Sequence, residues 1–173
     1  MIAWRVAIAL VIVAALLPEF PRYAAERRLY QVSAVLQAVL LRSRDVPDPG
    51  RVVAWAATTA LSASGALPGD WRPLNLAGSA WLLARRAEPA LDRYREALAL
   101  GERPEIVVNL GRAYASLGRD DRATAAFVRA AWVSPGLLST LPRATQAAVR
   151  AEVDALEASL ASGRLAAPPP LPP

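Results

Sequence analysis

Five positions of this chain recur at a constant offset of 33 residues, each in its own size class. Gly78, Trp81, Ala90, Tyr94 and Ala97 return as Gly111, Tyr114, Ala123, Phe127 and Ala130. An internal period of roughly 20–50 residues marks a chain built from copies of one supersecondary unit. The sizes say which unit. Two antiparallel helices approach closely only where one presents a small residue to the bulk of the other. Gly111 opens such a gap on a first helix and Ala123 opens the complementary one on a second, with Tyr114 and Phe127 filling the space between them. Gly118 followed by Arg119-Asp120 supplies the turn, Gly being a good left-handed helix stop and Asp a good cap. Pro135 closes the second helix after Ser134.

Extended into a pattern, the second copy reads Val107-x2-Leu110-Gly111-x2-Tyr114, then Ala123-x3-Phe127, then Pro135. It resembles a tetratricopeptide (TPR) repeat, whose pattern is W-x2-L-G-x2-Y, A-x3-F, P. Only the Trp is replaced. The preceding copy, Leu74-x2-Ala77-Gly78-x2-Trp81 followed by Ala90-x3-Tyr94, has Ala in place of the Leu and lacks the closing Pro. The two copies span residues 71–103 and 104–136. The resemblance implies an all-α fold, antiparallel helix pairs stacked as a short right-handed solenoid.

Two repeats do not bury a continuous core, so flanking elements must complete the stack. Upstream, residues 24–66 read as a degenerate helical hairpin: Leu29, Val32, Leu36 and Val39-Leu40 share one helical face, "DVPDPG" breaks it, and Arg51 to Ser64 forms the second helix. Ala57 and Leu61 then stand 33 residues before Ala90 and Tyr94. Downstream, Val149, Val153, Leu156 and Leu160 make a capping helix within residues 140–162. About seven short helices are expected. The Pro-rich tail, residues 163–173, should be extended and frayed.

At the N-terminus, Arg5 precedes twelve apolar residues, Val6 to Leu17, before Pro18 and Pro21 break the helix. A hydrophobic content of 54% and mean hydropathy of +0.25 place some of this chain in lipid. Residues 1–20 therefore read as one N-terminal transmembrane helix, with Trp4 at the interface. A cleaved signal peptide is the rival, but cutting after Ala25 or Ala24 would put Tyr23 or Arg22, neither of them small, at the −3 position. The expected localisation is a bacterial inner membrane, single-pass. Arg22, Arg27 and Arg28 after the span favour a cytoplasmic body by the positive-inside rule, while the short N-terminal tail favours a periplasmic one, and a periplasmic body is expected.

Catalysis has little to work with. The chain holds no Cys and no His, and all 20 cationic residues are Arg. Thiolate nucleophiles, most zinc sites, imidazole acid–base chemistry, Schiff bases and Walker-type phosphate loops are thereby removed. Asp120-Asp121 sits at a turn, where Asp is an ordinary cap. We expect no enzyme, no cofactor, no metal and no small-molecule substrate. The net charge of +5 is dispersed as single and paired arginines among acids, the pattern of solvated helix faces rather than a nucleic-acid footprint.

Binding remains. The resemblance implies a groove lined by the first helix of each repeat, which here places Arg72, Asn75, Ser79, Leu82 and Leu83, then Glu105, Val108, Asn109, Arg112, Ala115 and Ser116, toward a partner segment. Asn109 and Arg112 match in type the residues with which some TPR domains hold a carboxylate, but the family's paired lysines have no counterpart. The expected function is a membrane-anchored adaptor holding a partner protein or peptide beside the bilayer. Alternatives are an integral accessory subunit of a larger membrane complex, held through its transmembrane helix, and a TPR component of envelope polysaccharide or secretion machinery.

Overall fold

The computed structural model describes residues 19–41 and 48–164, with Trp4, Arg5, Ile8, Val11, Leu17, Ala167 and residues 169–171. These residues are helical, with no strand among them. Seven α-helices follow in order: α1 (Glu19–Leu40), α2 (Pro49–Ala63), α3 (Arg72–Leu83), α4 (Ala87–Ala99), α5 (Pro104–Ser116), α6 (Asp120–Val133) and α7 (Arg143–Ala161). Short 3-10 turns, Ser64–Ala66 and Pro135–Thr140, fall after α2 and α6. Each helix packs against its neighbours in the chain, and α1 also reaches α3. The candidate anchor, residues 1–20, lies largely outside the described residues. Among those described, no helix is long and apolar enough to cross a membrane.

The core falls into two clusters. Around α1 to α3 it is built of small residues, Ala56, Ala57, Ala60 and Ala63 of α2 meeting Leu29, Val32 and Leu36 of α1 and Ala77 and Ala80 of α3. Alanine faces allow helix axes to approach toward the lower end of the usual ~8–10 Å spacing. From α4 to α7 the cluster is larger and contains the fully buried rings of Tyr94 and Tyr114. Trp81 packs against both clusters and joins them.

The size pattern in the sequence has a direct structural cause. A Cβ built on Gly78 would lie 2.6 Å from the Tyr94 ring, and one on Gly111 would lie 2.5 Å from the Phe127 ring. Each glycine is a socket for an aromatic 16 residues further on. Ala90 and Ala123 are buried on the facing helices, as are Leu110 and Tyr114 on α5. Trp81 is only half-buried and carries the Arg86 guanidinium 4.7 Å above its ring. Pro135, also exposed, opens the 3-10 turn after α6 ends at Val133.

Several local expectations change. Pro21 does not end a helix; it occupies the first turn of α1, where its missing N–H is not needed. Val39 is half-buried, and Leu40, the last residue of α1, is exposed. In α2 the N-cap is Asp48, whose Oδ1 accepts the Arg51 N–H at 3.2 Å. Asp120 is not a cap: Arg119 holds that position without a side-chain bond, and Asp120-Asp121 form the first turn of α6, where negative charge suits the helix dipole. On α7, Val149 and Val153 are buried but Leu160 is 46% exposed. Part of the tail, expected to be frayed, is held against the body. Arg129 Nη1 donates to Pro169 O at 3.0 Å, and Leu171 packs against the core between α6 and α7.

Candidate functional site

Helices α1, α3 and α5 line one side of the molecule and enclose a cavity of about 470 Å³. Its wall is mostly aliphatic: Leu36 and Leu40 from α1, and Leu76, Leu82 and Leu83 from α3. The polar groups are Ser33 and Gln37 of α1, Ser79 of α3, Asn109 and Arg112 of α5, and the Tyr94 ring of α4. Among the described residues no carboxylate lines it.

Those of α3, α4 and α5 join in a chain of hydrogen bonds across the helices. Tyr94 Oη donates to Ser79 Oγ at 3.3 Å, and Ser79 Oγ donates to the Asn75 carbonyl at 2.9 Å. Asn109 Nδ2 donates to Asn75 Oδ1 at 3.1 Å, tying α5 to α3. Arg112 Nη1 donates to Asn109 Oδ1 at 2.8 Å. Its other terminal nitrogen reaches the Thr140 carbonyl and hydroxyl at 3.1 and 3.0 Å, so the guanidinium is pinned between α5 and the turn before α7.

Every acceptor around Arg112 is neutral. Among the described residues it makes no ion pair, although it is half-buried. Burial lowers its affinity for the proton, while the Tyr94 hydroxyl works the other way; an Arg nevertheless keeps its charge at any ordinary pH. Burial also pushes the Tyr94 hydroxyl up to about 12. The site therefore presents one fixed positive charge beside an apolar wall.

The residues expected in a groove divide. Ser79, Leu82, Leu83, Asn109 and Arg112 line the cavity, and Asn75 stands behind it as Asn109's partner. Arg72 is elsewhere: its Nη1 and Nη2 reach Glu26 at 3.0 and 2.6 Å and its Nε reaches Asp70 at 2.9 Å, an ion-pair cluster between α3 and α1. Burial tends to raise the Asp70 carboxyl, but the hydrogen bonds and charge of Arg72 outweigh it and hold it low. Glu105 is exposed in the first turn of α5, and Ser116 Oγ only caps back onto the Arg112 carbonyl at 2.9 Å. Neither lines the cavity, nor do Val108, which is buried in the core, and Ala115, which is exposed.

The α1 contribution, Ser33, Leu36, Gln37 and Leu40, escaped the groove reading. The 33-residue offset carries Gly78 back onto Asp45, beyond the end of α1. The repeat register thus carries most of α3 past the end of that helix, and only Leu36 and Leu40 were marked, as part of its apolar face. The described residues hold no cluster of acidic side chains that could bind a metal ion. The chain matches no protein-family model, no curated protein and no solved structure.

Proposed function

We propose that this protein is a membrane-anchored, TPR-like adaptor that holds a segment of a partner protein against the α1–α3–α5 face, without catalysis. Stacked helix pairs give a preorganised surface, which limits the entropy lost on binding. The observation that carries the reading is Arg112. A half-buried guanidinium with only neutral acceptors, facing an aliphatic wall, suits a ligand with an anionic group on an apolar body. The anchoring part rests on the apolar run Val6–Leu17.

The test is co-purification in mild detergent of the tagged full-length chain, of a form lacking residues 1–23, and of full-length Arg112→Gln and Leu83→Arg. Circular dichroism monitors folding of each variant. An adaptor brings down the same partner with and without residues 1–23 and loses it on either groove substitution. Retention by both groove variants with loss on truncation would move the binding element to the N-terminal segment. The protein would then be an accessory subunit held in a complex by its anchor.

A further inference from the structure

The outer face of α1 carries three of the exposed aromatic rings among the described residues. At 3.6 residues per turn, Phe20, Tyr23, Arg27 and Tyr30 fall within an arc of about 80°. That arc lies on the side of α1 away from Ala25, Leu29, Val32 and Leu36, which meet the core. The three aromatics are 70%, 68% and 78% exposed. Such rings ordinarily go inside, and a row of them facing outward on one helix marks a surface with a partner. Arg27 and Arg28, also exposed, make no ion pair or hydrogen bond among the described residues. The acid beside them, Glu26, is already taken by Arg72.

We infer that this face of α1 lies in the headgroup region of an anionic bilayer. Three features select lipid over a second protein. Tyr and Phe with an apolar body suit the boundary between hydrocarbon and water, where an aromatic gains burial and a phenol stays wet. The uncompensated arginines complement acidic headgroups. The apolar run Val6–Leu17 also ends only two positions before α1 begins at Glu19, so a bilayer holding that run is within reach of the stripe. The inference rests on the anchored reading and deepens it: the body is laid against the membrane along α1, not tethered at a distance.

The chain has no cysteine, so single-cysteine variants of the full-length protein take a nitroxide label at one place. Labels at Tyr23→Cys and Tyr30→Cys are compared with Glu157→Cys on α7, in phosphatidylcholine vesicles with and without phosphatidylglycerol. Collision with a water-soluble nickel complex is the readout. The expected result is several-fold lower collision at 23 and 30 than at 157 in the anionic vesicles, and a smaller difference in the neutral ones. Arg27→Gln with Arg28→Gln should remove the part that depends on phosphatidylglycerol. Equal collision at 23, 30 and 157 in anionic vesicles overturns the inference. Equal shielding in both vesicles overturns the role given to the arginines. A label at Val11→Cys, read by oxygen collision, keeps the two readings apart. With Val11 in lipid and Tyr23 and Tyr30 in water, the anchor stands and the inference fails; with all three in water, both fail.

Discussion

The α3–α4 and α5–α6 hairpins share a socket but differ in what fills it and in how the chain turns. In the first, Gly78 receives Tyr94, whose hydroxyl must find a partner once buried and finds Ser79. In the second, Gly111 receives Phe127, which needs none. The turns share their closing hydrogen bond: the Arg86 N–H donates to Trp81 O at 2.9 Å and the Arg119 N–H to Tyr114 O at 3.0 Å. Both are Schellman closures, with the residue before the donor in the left-handed region. That residue is Gly118 at φ 69° in the second hairpin, but Arg85 at φ 59° in the first. The same backbone path is thus followed with a residue suited to it and with one that is not. Tertiary packing of the socket, not the local preference of the turn, holds the first hairpin in register.

Emptying a socket is the strongest way to break the parallel. Tyr94→Ala and Phe127→Ala should each cost about 3–5 kcal/mol in denaturant unfolding. Tyr94→Ala should prove the more damaging, because it also strips Ser79 and the hydrogen-bonded chain to Arg112 of a member. Equal losses would show that this chain adds nothing to stability.

Alkali should separate the hairpins next. The Tyr94 hydroxyl ordinarily ionises near pH 10 and is held up to about 12, chiefly by burial. The unfolded chain therefore loses this proton first, so the contribution is intact below pH 10 and declines as pH rises toward 12. A loss on the order of 2–3 kcal/mol is expected across that window. Tyr94→Phe, which copies the second hairpin into the first, should flatten that limb when stability is followed against pH.

Filling the sockets comes third. Gly111→Ala drives a methyl into Phe127 and brings it within 3.2 Å of the Ala123 carbonyl, whereas the atoms nearest a methyl at Gly78 all belong to the Tyr94 ring. Each should cost about 1–3 kcal/mol, more at Gly111 because backbone gives way less readily than a ring. Phe127→Leu should recover part of the Gly111→Ala loss, and thermal unfolding of the double variant checks it.

The turn gives the smallest and most specific test. Arg85→Gly should stabilise by about 1 kcal/mol, since a left-handed L-residue is relieved, while Gly118→Ala should destabilise by a similar amount. A shift of the same sign at both positions would contradict the equivalence of the two turns.

The sockets were legible from sequence because they depend on volume, and volume is a property of residue type. Gly78 with Tyr94 and Gly111 with Phe127 stand at the same separation in both copies, so the small and the bulky positions were readable before any fold was known, while which ring enters which gap came from the structure. The equivalence of Arg85 and Gly118 was not, because nothing in an Arg announces a positive φ; the surrounding helices impose it. The groove was half legible for the same reason. Its α3 and α5 residues followed the repeat register, while Ser33, Leu36, Gln37 and Leu40 lie on a helix outside that register. Arg72 stands at a position that would suit a groove and is drawn off by Glu26 of α1, a partner 46 residues away in the chain.

By itself, then, the sequence determined the all-helical class, the two hairpins with their glycine sockets, and the absence of Cys, His and Lys chemistry, because spacing and residue size act locally. Tertiary structure alone decided which polar residues face the cavity, left Arg112 among neutral acceptors, laid Pro169 and Leu171 back over α6 and α7, and turned Phe20, Tyr23 and Tyr30 outward. Those outcomes depend on charges and surfaces brought together from distant parts of the chain, and no local pattern encodes a distance of that kind.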